Sequence, residues 1–393
     1  MKKILVINTG SSSLKFSLFE MPSEEVIASG IVERIGMEDA VFRYKNLNGK
    51  TEKSLSIKNH FAALRLVADQ LLDKENGVLQ SPDEIDAIGH RVVHGGSLFT
   101  DTTIITDEIK SKIKELFSLA PLHNPPNYTG IEVAESIFPN SKQVAVFDTA
   151  FHQSIPEKAH RYAIPNNLYE KDNVRLYGFH GTSHKYVSQK AAEYLGKPDA
   201  KIVILHLGNG CSATAVNAGK SIDHSLGFGP VTGLIMGTRS GDLDPAVVLY
   251  LIENKGHTAK EVNDILNKES GMLGLTGYSD LREIEARYME GDQQCKLALE
   301  MNAYRIKKYI GAYAAAMNGL DAVVFTAGIG ENSEIIRGMV CEDMDFLGIK
   351  INKEENDLRK PGIRELQTSD SQVKILVVPT NEEVEIARQA FDI

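Results

Sequence analysis

A duplicated α/β architecture is what this sequence predicts, and three observations carry the prediction. A continuous apolar run that breaks into small polar residues and then into an alternating strand occurs twice, at Ile4–Phe19 and again at Lys201–Val216. A third strand follows each hairpin, and strand and helix patterns then alternate. Each half also closes on a strand that runs out at a carboxylate, Asp148 in the first and Glu382 in the second. Two similar halves of this kind imply two similar domains around a cleft, where small ligands usually bind. The expected boundaries are residues 1–149 with about 384–393, and residues 150–383.

Taken in order, the buried strand Ile4-Leu-Val-Ile7 ends at Asn8 and turns through Thr9-Gly10-Ser11 into a strand whose side chains alternate. Leu14, Phe16 and Leu18 then share a core face, while Ser11, Ser13 and Lys15 share the other. Val26–Ile35 reads as a third strand, Phe61–Lys74 as a helix with apolar residues at Phe61, Leu64, Val67 and Leu71, and Asp86–Gly96 as a strand. Leu122–Asn127 reads as a loop opening a helix near Ile131–Phe138, and Val144–Phe147 as a strand ending on Asp148. The second half repeats this order. Its strands are expected at Lys201–Leu207, Ser212–Val216, Ser221–Ser225, Leu320–Thr326 and Val373–Val378, with a long helix at Leu297–Met317 and a terminal helix at the end.

Composition narrows the function. A formal net charge of −10 over 393 residues, without long basic runs, argues against a nucleic-acid or membrane surface as the main partner. Cys211, Cys295 and Cys341 lie far apart, so neither a disulfide framework nor a zinc site is expected. No apolar stretch approaches the roughly eighteen residues of a membrane span, and the amino terminus turns polar after Ile7, which places the protein in the cytoplasm.

The chemistry-bearing residues cluster in glycine-rich stretches. Small residues let backbone N–H groups approach an anion, and Ser11, Ser13 and Lys15 would add hydroxyls and a cation suited to phosphate. An ordinary solvated turn would use the same serines and glycine for local reasons. Gly208-Asn-Gly-Cys-Ser-Ala213 has the glycine spacing of a dinucleotide fingerprint, but that motif must open a helix and this one runs into an alternating strand. Gly328-Ile-Gly-Glu-Asn332 follows an apolar strand and precedes a helix expected at Ser333–Gly338, so it either cradles a nucleotide or simply turns the chain. Arg91 and Arg239 each sit among glycines, where a guanidinium can fork around a carboxylate or a phosphate. His180 can donate to a developing negative charge or pack as a capping residue. Its spacing to His184 lacks the glutamate of a zinc protease helix. Asp148 and Glu382 either order the shell of a magnesium ion or cap helices.

Seven stretches in order, Asn8–Lys15, Gly89–Gly96, Gly178–His184, His206–Gly210, Met236–Asp242, Gly328–Asn332 and Thr380–Glu383, together resemble the acetate kinase family almost from end to end. That resemblance implies a duplicated ribonuclease H-like, actin-like ATPase fold. It implies reversible, direct in-line phosphoryl transfer from ATP to acetate, giving acetyl phosphate and ADP, and a homodimer. On the same resemblance Asn8 and Glu382 bind magnesium, for which manganese can substitute. Lys15, His206, Leu207, Gly208, Asn209, Gly210, Asp280, Leu281, Arg282, Gly328, Ile329, Gly330, Glu331 and Asn332 hold the nucleotide. Arg91 takes the carboxylate, Val93, Leu122, Phe179 and Pro230 form the methyl pocket, His180 and Arg239 stabilise the transition state, and Asp148 is the essential acidic residue. A propionate or other short-chain acyl kinase is the near alternative. An actin-like or chaperone-like nucleotide-binding protein would share the hairpins but would not need Arg91, Arg239 and Phe179-His180. A nicotinamide dehydrogenase is the remaining reading.

Overall fold

Strand β1 (Lys2–Thr9) is buried throughout Ile4–Ile7 because it has a strand on each side and helices on each face. The computed structural model describes all 393 residues and divides them into two units, residues 1–151 with 381–393 and residues 152–380. In the first unit, β1 pairs antiparallel with β2 (Ser13–Met21), which continues into β3 (Glu25–Glu33), β4 (Ala40–Asn46) and β5 (Gly49–Leu55). On its other side β1 runs parallel to β6 (Ala87–Val92), followed by β8 (Lys142–Phe147) and the short β7 (Thr103–Ile104). Leu5, Ile7, Leu14, Phe16 and Leu18 pack with Leu64 and Val67 of the helix His60–Leu71 and with Ala134 of the helix Asn124–Ile137.

The terminal helix Glu382–Asp392 packs on β1, β2, β6 and β8. Its seat is set by Gly89, where a Cβ would lie 2.6 Å from Ile386 Cγ2. Gly89 is paired with Val6, and Val6 with Ser17, so these residues share the helix-covered face. That explains a departure from the expected alternation: Ser17 and Phe19 of β2 are buried as well as Leu18, and on that face only Ser13 and Lys15, near the turn, stay polar and accessible.

The second unit repeats the strand order. Its sheet runs β11 (Lys220–His224), β10 (Cys211–Asn217), β9 (Lys201–Leu207), β12 (Ala322–Thr326), β14 (Lys374–Val377), β13 (Arg364–Glu365), with β12 and β14 parallel to β9 as β6 and β8 are to β1. The helices Gly181–Leu195 and Gln293–Met317 pack on β9. The fold is thus a duplicated ribonuclease H-like α/β arrangement, each unit opening with three antiparallel strands and closing with parallel ones.

Three local differences from expectation have simple causes. The helix after Leu122 begins at Asn124, because Pro125 and Pro126 occupy its first turn, where no backbone donor is required. Gly328–Asn332 is a short helix, Ala327–Asn332, and a separate helix, Glu334–Cys341, starts when the Ser333 side chain accepts from Ile336 N–H. The β4–β5 hairpin and the helices Pro245–Glu253, Ala259–Asp264, Gly271–Thr276 and Leu281–Met289 were not anticipated.

Candidate active site

In the first unit four of the singled-out residues meet at the end of the sheet. Arg91 extends from β6, and its Nη2 donates to Asp148 Oδ2 at 2.5 Å and its Nη1 to Asn8 Oδ1 at 3.5 Å. Glu382 Oε2 lies 3.8 Å from Arg91 Nε, which is buried and has no hydrogen-bond partner. Asp148 follows β8 and is 1 % exposed, its N–H donating to Val92 O. Burial opposes the guanidinium's charge, but Asp148 and Glu382 outweigh it and raise the Arg91 pKa, so the cation persists. Burial pushes Glu382 up, against the pull of Arg91.

Glu382 and Glu383 open the terminal helix, capped by the Asn381 side chain, where a carboxylate suits the helix dipole. Glu383 ion-pairs with Lys15. The turn between β1 and β2 is closed by Gly10 N–H donating to Ser13 O at 2.9 Å, with Ser11 and Lys15 exposed beside it. Val93 is buried, and its N–H donates to Asn127 Oδ1 while Asn127 Nδ2 donates to Thr9 O. Leu122 is 57 % exposed. Asn8 and Glu382 together offer hard oxygen donors, and no group of three or more His, Cys, Asp or Glu could hold a metal by itself. Such a donor set fits magnesium, which keeps water and phosphate ligands, and not a zinc cage.

In the second unit the chain approaches the helix Gly181–Leu195 through Gly178-Phe179-His180. Gly178 has φ +78°, and a Cβ there would meet the His152 ring at 2.7 Å. His180 itself adopts the left-handed conformation, φ 56°, as the N-cap. The buried Phe179 peptide is held at both ends: its N–H donates to His224 Nε2 at 3.1 Å, and its carbonyl accepts from His152 Nε2 at 3.0 Å. The His180 ring stacks on His206, centroids 4.5 Å apart.

Gly210 lies in the β9–β10 turn, and a Cβ on it would sit 3.3 Å from His180 Nε2 and 3.9 Å from Arg239 Nη1. The two donors therefore flank the same backbone. Arg239 Nη1 donates to Pro230 O at 2.9 Å, and no carboxylate pairs with this guanidinium. Burial lowers its pKa, with Cys211 acting weakly the other way.

Beside this turn is a cavity of about 640 Å³, lined among others by Gly208, Asn209, Asp280, Arg282, Gly328 and Asn332, within the usual range for a ligand pocket. Leu281 and Ile329 supply apolar walls. Ser279, Glu285, Ser333 and Arg359 also line it, and no local pattern in the sequence marked them. Hydrogen bonds from Arg282 hold Asp280 down to about 2. Leu207 is buried at the base of the hairpin. Gly330 and Glu331 do not line the cavity: the Gly330 carbonyl accepts from buried Arg337, and Glu331 Oε1 accepts from Thr380 N–H.

A family model described as the acetokinase family matches residues 3–388. An acetate kinase of Flavobacterium johnsoniae is 60 % identical, covering all of this chain and 99 % of that protein. Among solved structures, Porphyromonas gingivalis acetate kinase superposes with a TM-score of 0.94 at 45 % identity, covering 100 % and 99 % of the two chains. A propionate kinase from Francisella tularensis gives a TM-score of 0.94 at 41 % identity, covering 100 % of both. With its repeated fold and the donors grouped beside the cavity, the protein is a phosphotransferase of the duplicated α/β class. More narrowly, the chain belongs to the acetokinase family.

Proposed function

We propose that the protein transfers the γ-phosphoryl group of ATP to acetate, reversibly, giving acetyl phosphate and ADP. The observation that carries this reading is the pair of donors around Gly210: His180 Nε2 and an Arg239 with no carboxylate partner, next to a nucleotide-sized cavity. A half-buried guanidinium without a counter-anion is suited to the charge on a transferring phosphoryl group.

Acetate is already an anion, so its oxygen attacks phosphorus without losing a proton. One O–P bond forms as the bond to the ADP oxygen breaks. The difficulty is repulsion between two anions, and cationic positioning is the remedy. Arg91 grips the carboxylate, its guanidinium being oriented at the end of β6 by Asp148 and Asn8. Asp148, buried and bonded to Arg91, orients that guanidinium instead of removing a proton. Asn8 and Glu382 would hold magnesium, which when bound neutralises charge on the phosphate chain. Gly208, Asn209, Asp280, Leu281, Arg282, Gly328, Ile329 and Asn332 accommodate the nucleotide, with Ser11, Ser13 and Lys15 as further phosphate donors. Val93, Leu122, Phe179 and Pro230 are assigned to the acyl methyl group.

A second reading, propionate as the preferred acid, is favoured by the similarity to the Francisella tularensis propionate kinase. Trapping acyl phosphate as hydroxamate from ATP, magnesium and each acid tests both readings. Acetate giving no product sinks the first, and a higher kcat/KM with propionate establishes the second.

We also infer a homodimer. The helix Pro245–Glu253 is largely apolar yet has no buried residue, and Leu249 and Tyr250 are 55 % and 50 % exposed. Tyr304 and Leu297 of the helix Gln293–Met317 are exposed too. Apolar surface of this extent is suited to a second copy of the chain. No helix is long and apolar enough to cross a membrane. Three free, buried cysteines are compatible with the cytoplasm as its compartment.

A further inference from the structure

Ser212, in β10, places one hydroxyl within reach of two imidazoles. Its Oγ is 2.9 Å from His180 Nδ1 and 2.7 Å from His184 Nε2. The two histidines are four residues apart at the start of one helix, so their rings lie on the same side of it. A hydroxyl has one proton: it can donate to one of these nitrogens and must accept from the other. Only two arrangements satisfy both contacts with neutral rings. In one, Ser212 donates to His180 Nδ1, His184 donates from Nε2, and His180 carries its own proton at Nε2. In the other, all three roles are reversed, and His184 carries its proton at Nδ1.

The position of His184 decides between them. His184 is fully buried, and its Nδ1 has no hydrogen-bond partner. An N–H left there would expose a concentrated positive charge to no acceptor, and orphaned buried N–H groups are rarer than under-used acceptor lone pairs. A doubly protonated His184 is excluded too, because burial and the neighbouring His152, His206 and His180 hold its pKa well below 6.5. His224 and His152, in the same cluster, agree with neutral rings. His224 accepts from Phe179 N–H at Nε2, which leaves its Nδ1–H for Thr214 Oγ1 at 2.7 Å. His152 donates from Nε2 to the Phe179 carbonyl, which leaves its Nδ1 to accept from Ser221 Oγ at 2.8 Å. This arrangement leaves one acceptor unmet, at His184 Nδ1.

We propose that Ser212 and His184 are positioning residues that set the tautomer of His180, keeping a proton on the Nε2 that lies beside Gly210 and Arg239. This rests on the reading of His180 as a donor to the transferring phosphoryl group. With the opposite tautomer, Nε2 would present a lone pair to an anionic oxygen. Neither Ser212 nor His184 touches substrate in this account. They act through His180, and the bland alternative is a buried polar network that only holds the helix against β10.

The test uses the full-length enzyme with ¹⁵N-labelled histidine, in which the imidazole nitrogen shifts report the tautomer, assigned by the loss of signal in His180→Gln. The wild type is expected to show His180 protonated at Nε2. Ser212→Ala is expected to give mixed tautomers and a kcat about ten- to a hundredfold lower, with KM for ATP and acetate within about twofold, as for losing a transition-state donor. His184→Met, which cannot donate, should behave in the same way. His184→Gln, whose amide can donate to Ser212, should restore the Nε2–H tautomer and be at least about tenfold faster than His184→Met. A wild-type His180 protonated at Nδ1 overturns the proposal. So does a full kcat with an unchanged His180 tautomer in Ser212→Ala or His184→Met. Should Ser212→Ala fail to fold, the wild-type tautomer and the two His184 variants still decide. The nitrogen shifts are read without turnover, so failure to make acetyl phosphate would count against the function alone.

Discussion

Arg91 donates from Nη2 to Asp148 Oδ2 at 2.5 Å while its buried Nε has no acceptor. Asp148 thus fixes the guanidinium, with Asn8 Oδ1 3.5 Å from Nη1 and Glu382 Oε2 3.8 Å from Nε. Arg91→Ala is expected to raise KM for acetate at least about tenfold with a smaller change in KM for ATP, because the lost interaction is already made with the ground-state carboxylate. Steady-state kinetics with each substrate varied in turn checks this. A raised ATP KM with an unaltered acetate KM would remove Arg91 from the role.

Arg239 differs in having no carboxylate beside it, and its place near Gly210 suits charge that develops during transfer. Arg239→Ala should lower kcat by on the order of 10³, the scale of an arginine acting on a transferring phosphoryl group. Near-normal turnover at saturating substrates would contradict the assignment.

Val93 is buried, with its backbone fixed by Asn127, so shortening its side chain opens space without moving the strand end. Val93→Ala should shift kcat/KM toward propionate relative to acetate by about tenfold, as one methylene in an apolar pocket is worth roughly 1–3 kcal/mol. Competition between the two acids at limiting ATP measures the ratio directly. An unchanged ratio would place the acyl group elsewhere.

His90 and His152 are buried, and burial lowers each to about 4 in spite of a hydrogen bond to Gln143 and to the Phe179 carbonyl respectively. The unfolded chain takes up these protons near pH 6.5 and the folded one only near 4, so stability is full above the unfolded value. It falls as pH drops through that window and levels below the folded value. Each histidine should withdraw roughly 1–2 kcal/mol between pH 7 and 5. Urea unfolding of His90→Gln at both pH values should show a loss smaller than the wild type's by about that amount. Parallel losses in the two proteins would show that His90 ionises freely when folded.

Leu249 and Tyr250 occupy a helix with no buried residue. A double change, Leu249→Glu with Tyr250→Lys, should convert a dimer to a monomer in sedimentation velocity while leaving the melting temperature of the single chain close to its starting point, since surface changes cost little. A wild-type monomer, or a variant that still dimerises, would locate the assembly surface elsewhere.

Much of the fold was determined by the sequence alone, because its signals are local. The apolar run of β1, the alternation around Leu14 and Phe16 and the recurrence of the same order from Lys201 depend on the periods of a strand and a helix, and a chain carries those within a dozen residues. The stretches that supply the candidate site were legible for the same reason, as glycines next to Arg91, Arg239 and His180. What only the tertiary structure decided are contacts between residues far apart in the chain. Glu285, Ser333 and Arg359 come together around one cavity, Asn127 ties Thr9 to Val93, and Ser212 bridges His180 and His184. Ser17 and Phe19 are buried because a helix from the far end of the chain lies over their face of the sheet, a relation no window of neighbouring residues contains. A side chain's partners across the fold depend on how elements pack, and packing is a property of the whole unit, not of the segment.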